Sequence, residues 1–139
     1  MPITTQLLIQ EESKPGALAR VASVLGQAGV NIKAFVAPEV TIQGGTGELR
    51  VVVADLERAK NALKAATIKF REETALVLSL ENRPGALGEV AEHLKEAGIN
   101  ITCGYCTPSR EGRRAIVVLT VSDTQKAQDV LRGESLDEI

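Results

Sequence analysis

The chain has 139 residues, with 18 acidic against 16 basic side chains and a net charge of −2. That balance argues against a nucleic-acid or anionic-membrane partner, which draws a basic excess, and two Phe, one Tyr and no Trp leave too few rings for a base-stacking surface. No apolar run reaches the roughly 18 residues that cross a bilayer, the start MPITTQLLIQEESK lacks the order of a signal peptide, and two cysteines cannot build a disulfide framework. The expectation is a soluble, cytoplasmic protein.

Residues 5–11 are short, apolar and rich in Leu and Ile, the pattern of a buried strand. A polar turn, Glu12-Ser13-Lys14, leads into Pro15-Gly16. Proline is favoured at the first helical position and pushes the residue before it toward extended geometry, so a helix is expected to open at Pro15. Leu18, Val21, Ala22, Leu25 and Ala28 then make one apolar stripe, and Gly29 ends the helix as a C-terminal cap. A second strand starts at Val30-Asn31-Ile32. Gly44-Gly45-Thr46-Gly47 reads as a hairpin tip; it lacks the Lys-Ser/Thr of a phosphate loop. Residues 49–54 read as a third strand, Asp55 or a residue beside it caps a second helix whose inner face carries Ala59, Ala62 and Leu63, and residues 67–71 read as a fourth strand.

The same order then returns. Residues 7–32 reappear as residues 76–101 with 13 of 26 positions identical, and residues 51–63 return in the same way as residues 118–131. Pro84-Gly85 repeats Pro15-Gly16, Leu87, Val90, Ala91, Leu94 and Ala97 repeat the stripe, and Gly98 repeats the stop. Ile99-Asn100-Ile101 begins the next strand, residues 109–113 read as a charged hairpin tip, and a strand over residues 115–121 and a helix capped by Asp123 or a residue beside it, with Ala127, Val130 and Leu131 inside, follow. A period this long fits a tandem duplication of a small module rather than a solenoid. Each copy reads strand-helix-strand-strand-helix-strand, the ferredoxin-like split β-α-β pattern. The fold expected is α+β: two such modules, residues 1–71 and 72–139, antiparallel sheets with helices on one face, set side by side. The last strand of the second copy, residues 134–139, has only Leu136 and Ile139 to support it and is expected to be short or missing. Modules of about 70 residues are near the lower limit for folding alone, so the two copies are expected to bury surface against each other.

At this point the chain resembles a tandem pair of ACT domains, the small amino-acid-sensing modules of biosynthetic enzymes. The resemblance spans nearly the whole chain. It is carried by Pro-Gly-Ala-Leu and Gly-x-Asn-Ile in both copies, and the stretch LENRPGALGEVAEHLKEAGINI is similar to the serine-binding regulatory domain of phosphoglycerate dehydrogenase. The resemblance implies ligand contacts at Asn82 and at Asn31 or Asn100, and ligand where the turn regions of adjacent domains face a shared seam.

The chemistry of such a site can be argued from the residues as well. An amino-acid carboxylate needs N–H donors, which the first turn of a helix supplies together with a favourable dipole. Gly16 and Gly85, lacking a Cβ, let a ligand approach that backbone, and Asn82, Asn31 or Asn100 offers an acceptor to the ammonium group. The candidate ligand-binding set is therefore Ser13, Pro15, Gly16, Ala17, Leu18 and Asn31 in the first copy and Asn82, Pro84, Gly85, Ala86, Leu87 and Asn100 in the second. The first copy has Ser13 where the second has Asn82, and the shorter hydroxyl reaches less far, so the second half-site is expected to bind better or alone. The structural alternative is that Pro-Gly simply starts a helix and that the asparagines satisfy turn backbone.

Cys103-Gly104-Tyr105-Cys106 has redox-pair or half-zinc spacing. It falls on an expected strand, where residues three apart face opposite sides. His93, the single histidine, sits at the edge of a helical stripe and has no visible catalytic partner. Arg110, Arg113 and Arg114 read as solvated surface, or as a site for an acidic protein. The function expected is that of a stand-alone, non-enzymatic regulator that binds a small amino acid where two modules meet and signals allosterically, without cofactor or metal, as a possible homodimer. Two alternatives stand beside it: a regulatory subunit gripping an enzyme or transcription factor without its own ligand, like the acetolactate synthase small subunit, and a thiol enzyme built on Cys103 and Cys106.

Overall fold

The computed structural model describes residues 3–12, 15–37, 46–108 and 112–132. Ser13, Gly44, Gly45, Arg110 and the expected strand at 134–139 lie outside the described residues. The chain divides into two compact units, Thr5–Glu73 on one hand and Met1–Thr4 with Thr74–Ile139 on the other. Six antiparallel strands and four helices run in the order β1 (Ile3–Glu12), α1 (Ala17–Gln27), β2 (Ile32–Val36), β3 (Thr46–Val53), α2 (Leu56–Ala65), β4 (Phe70–Glu81), α3 (Ala86–Glu96), β5 (Ile101–Pro108), β6 (Arg114–Val121) and α4 (Thr124–Val130).

In the first unit β3 lies between β1 and β2, antiparallel to both, with Val51 opposite Leu7 on one side and Phe35 on the other. In the second unit β6 lies between β4 and β5, with Val117 opposite Leu78 and Cys106. The pairing with the edge strand slips at the same place in both, between Ile32 and Ala34 and between Ile101 and Cys103. A bulge retained at one register point in two copies is a feature of the module, not an accident of one sequence.

Each unit has its own core. Leu7, Ile9, Val21, Leu25, Val51 and Leu63 are among the buried residues of the first, and Leu76, Leu78, Val90, Leu94, Leu119 and Leu131 among those of the second. Along β4 every residue from Ala75 to Leu80 is buried, as are Leu7, Leu8 and Ile9 in β1. Successive strand residues face opposite ways, so these runs are covered on both faces, which is why they are written without polar alternation.

The helix ends follow local chemistry. Asp55 Oδ1 accepts from Arg58 N at 3.1 Å and Asp123 Oδ1 from Lys126 N at 3.0 Å, capping α2 and α4 as expected. Helix α1 ends with Val30 N donating to Leu25 O and Gly29 N to Gly26 O, and α3 with Ile99 N donating to Leu94 O and Gly98 N to Lys95 O. These are Schellman closures that need a left-handed residue after the cap. Glycine supplies it twice; at the end of α2, Thr67 does so with φ 58, at a cost in strain.

Three expectations are corrected. Helices α1 and α3 start at Ala17 and Ala86, two residues after the prolines, because Gly16 and Gly85 take left-handed φ of 96° and 88° as N-caps and hold Pro15 and Pro84 in the turn before them. Leu18 and Leu87 are not core: they are 40% and 50% exposed, and the buried face is Val21 and Leu25 in α1 and Ala86, Val90 and Leu94 in α3. Finally, residues 67–71 are not a strand that ends with the first copy. Ile68 is buried ahead of the strand, and β4 then runs unbroken from Phe70 to Glu81, since no Gly, Pro or Asn interrupts FREETALVLSLE.

Candidate functional site

The turn between β4 and α3 is the most completely specified polar feature of the second unit. The Asn82 backbone N–H donates to Arg113 O at 2.9 Å, and its side-chain Nδ2 donates to Gly112 O at 2.9 Å, tying the turn to the β5–β6 connection. Arg83 spreads over the helix start: Nε donates to Glu81 Oε2 at 2.9 Å, Nη2 to Glu89 Oε2 at 2.8 Å and Nη1 to Pro84 O at 3.3 Å. The hydrogen bond from Arg83, and then its charge, holds the Glu89 carboxyl below the usual carboxylate range, and the same pairing with Glu89 and Glu81 raises Arg83. Both side chains are exposed, so the pair orders the turn more than it stabilises the fold.

Behind this turn stands the N-cap Gly85, whose carbonyl accepts from Glu89 N at 3.0 Å. Ala86 is buried in the core and its N–H reaches Arg83 O at 3.4 Å. The next two donors, the N–H groups of Leu87 and Gly88, have no acceptor among the described residues. Together with the exposed Leu87 side chain they make an anion-favouring helix start beside an apolar contact.

The first unit repeats the backbone but not the chemistry. Gly16 caps α1, with Arg20 N donating to its carbonyl at 2.9 Å, and Pro15 and Leu18 are exposed while Ala17 is half-buried. Here the fourth helical residue is a cation: Arg20 Nη1 donates to Glu11 Oε1 at 2.9 Å and Nη2 to Ala66 O at 3.0 Å. The matching residue in the second unit is Glu89.

The expected site residues fall into two groups. Asn82, Pro84, Gly85, Ala86 and Leu87 gather at the N-terminal end of α3, whereas Asn100 follows its C-terminal end. Eleven helical residues, about 16 Å, separate them. Asn31 stands in the same relation to Pro15, Gly16, Ala17 and Leu18 across α1. One small ligand cannot touch both ends within a unit. Asn31 O accepts from Ala54 N, while Asn100 O accepts from Ser122 N and Asn100 N donates to Ser122 Oγ, so both backbones join one strand to the end of the next. Two open surface depressions of the second unit reflect the division: one of about 550 Å³ lined by Gly85, Gly88, Glu89, Glu92, His93 and Glu96, the other of about 390 Å³ lined by Ala91, Lys95, Gly98, Ile99, Asn100 and Ile101.

Other candidates separate from this region. Cys103 is half-buried and Cys106 exposed, both as free thiols; they oppose Thr120 and Val117, an odd number of residues apart on β6, and therefore face opposite sides of the sheet. Among the described residues no group of three or more His, Cys, Asp or Glu could hold a metal ion, and no helix is long and apolar enough to cross a membrane. Arg114 is half-buried rather than free surface: Nε donates to Ser79 Oγ at 2.7 Å and Nη2 to Ser79 O at 2.6 Å. The sequence reading did not include Arg83 or Gly112 in the site. Gly112, with φ 73, offered the one usable signal, a glycine within a charged hairpin tip.

A family model described as an ACT domain pair matches residues 1–139. Among solved structures, protein BT0572 from Bacteroides thetaiotaomicron is 30% identical over 94% of this chain and 88% of its own, with a TM-score of 0.84. The regulatory subunit of aspartate kinase from Thermus thermophilus is 16% identical over 96% of this chain and 97% of its own (TM-score 0.60), and that from Thermus flavus 17% over 94% and 88% (TM-score 0.61); these two share the fold. No curated protein matches the chain.

Proposed function

Because the chain belongs to the ACT domain pair family, we propose that it is a non-enzymatic regulatory protein that binds a small free amino acid at the N-terminal end of α3 and passes the signal to a partner. One observation carries this reading: the turn that leads into α3 holds Asn82, anchored through its nitrogen, and the helix start that follows it offers the N–H groups of Leu87 and Gly88, which have no acceptor among the described residues. A free amino acid brings the complementary groups, an ammonium for the Asn82 oxygen and a carboxylate for the helix start. Binding would stiffen the turn and its hairpin and shift the population of conformations that a partner meets.

The test is a thermal-shift screen of the twenty amino acids at millimolar concentration. A ligand present at 100 times its dissociation constant adds about 2.7 kcal/mol, or about 5–12 °C for a chain of this size. A response confined to one or two amino acids is the expected result. The two Thermus neighbours are regulatory subunits of aspartate kinase, and they suggest a second reading: a subunit that grips an enzyme or transcription factor with no ligand of its own. Flat curves with all twenty, and co-purification with a large catalytic subunit, would favour it.

A further inference from the structure

Asn82 meets the β5–β6 connection through two hydrogen bonds, one from its backbone N–H and one from its side chain. A carbonyl oxygen can only accept, so the Gly112 carbonyl fixes which way the Asn82 carboxamide is turned: nitrogen inward, Oδ1 outward. Gly112 itself has φ 73, and a Cβ built there meets nothing within 4 Å. Space does not require glycine at this position; the left-handed backbone does, and with it the direction of the carbonyl.

We propose that Gly112 is a positioning residue of the second half-site. Resting on the amino-acid reading above, it turns the Asn82 Oδ1 away from the hairpin as the acceptor offered to ligand, so the site prefers a carboxylate that carries a protonated amine over the corresponding 2-hydroxy acid. The selectivity is electrostatic: a hydroxyl can also donate to an amide oxygen, but an ammonium bonds it more strongly. Residues 82 and 112 are 30 apart in sequence, so Gly112, just ahead of β6, belongs to the site although no ligand needs to touch it.

The experiment uses the full chain, the amino acid that gives the largest thermal shift, and the 2-hydroxy acid with the same side chain. Calorimetry should show Gly112→Val binding the amino acid at least tenfold more weakly than wild type. Gly112→Asn, which tolerates left-handed φ, should stay within about threefold. The 2-hydroxy acid should bind wild type and Gly112→Val equally poorly. The Asn82 side-chain amide protons give a readout independent of ligand: slow to exchange in wild type and Gly112→Asn, fast in Gly112→Val. If Gly112→Val does not fold, Asn82→Asp replaces it, since this keeps an outward acceptor but sets a carboxylate oxygen against the Gly112 carbonyl; it too should lose at least tenfold. A folded Gly112→Val or Asn82→Asp that binds like wild type overturns the positioning role alone, as does a 2-hydroxy acid that binds as tightly as the amino acid. A wild-type protein indifferent to all twenty amino acids removes the amino-acid reading, and this inference with it.

Discussion

The fourth residue of α1 is Arg20, held by Glu11 from β1; the fourth residue of α3 is Glu89, held by Arg83 from the preceding turn. Around them the two copies agree closely: left-handed glycine N-caps, Schellman closures on Gly29 and Gly98, aspartate caps on α2 and α4, and a register slip at the same place in the edge strand. The positions that the backbone depends on have stayed the same, while the side chains that a ligand would meet have exchanged sign or length. Duplication has thus preserved a frame and separated two surfaces. The proposed ligand site is the start of α3, where Asn82 and the Arg83–Glu89 pair lie and the first copy differs.

The largest effect tests whether the frames are equivalent. Leu25→Ala and Leu94→Ala remove matched side chains that are each fully buried, and each should cost about 3 kcal/mol in urea unfolding. Losses that differ by more than about 2.5 kcal/mol, beyond the scatter expected from local collapse, would show that the two cores are not the same device. A smaller effect concerns the helix closures. Thr67 holds the left-handed position that glycine holds in α1 and α3, so Thr67→Gly should stabilise the protein by about 1 kcal/mol. An unchanged midpoint would mean that the threonine side chain compensates its strain by packing.

The smallest effect is electrostatic. Arg83 lowers the Glu89 carboxyl in the folded state, and a depressed carboxylate contributes stability above its unfolded value of about 4.3, losing it as pH falls through the folded value. The difference in urea midpoint between wild type and Glu89→Gln should therefore be small and constant near neutrality and should shrink toward zero below about pH 4. A difference that grows on acidification would have the opposite sign and would remove Arg83 as its cause.

Much of this was legible in the sequence because it is local. The Pro-Gly turn, the aspartate caps and the Gly-x-Asn-Ile stops each act within a few residues, and the repeat displays every one of them twice. Leu18 and Leu87 escaped the reading because both are core-type side chains at helical spacing, and spacing alone does not show which members of a broad apolar stripe are covered: Leu87 is exposed next to the buried Ala86. The unbroken β4 escaped because β-propensity does not reveal where one module hands over to the next. The Asn82–Gly112 bond escaped because it spans a hairpin and leaves no local pattern. The half-buried Arg50 was not legible for the same reason: its Nε donates at 3.0 Å to Glu73 Oε1, which also accepts from Gln6 Nε2, in a cluster joined from three strands.

The most direct test of a ligand site in the second copy is calorimetric titration of the screened amino acid into wild type, Asn82→Ala and Ser13→Ala. Loss of at least tenfold in affinity for Asn82→Ala, with less than threefold for Ser13→Ala, is the result predicted by the account. The reverse order, or equal losses, would contradict the assignment of ligand recognition to the start of α3.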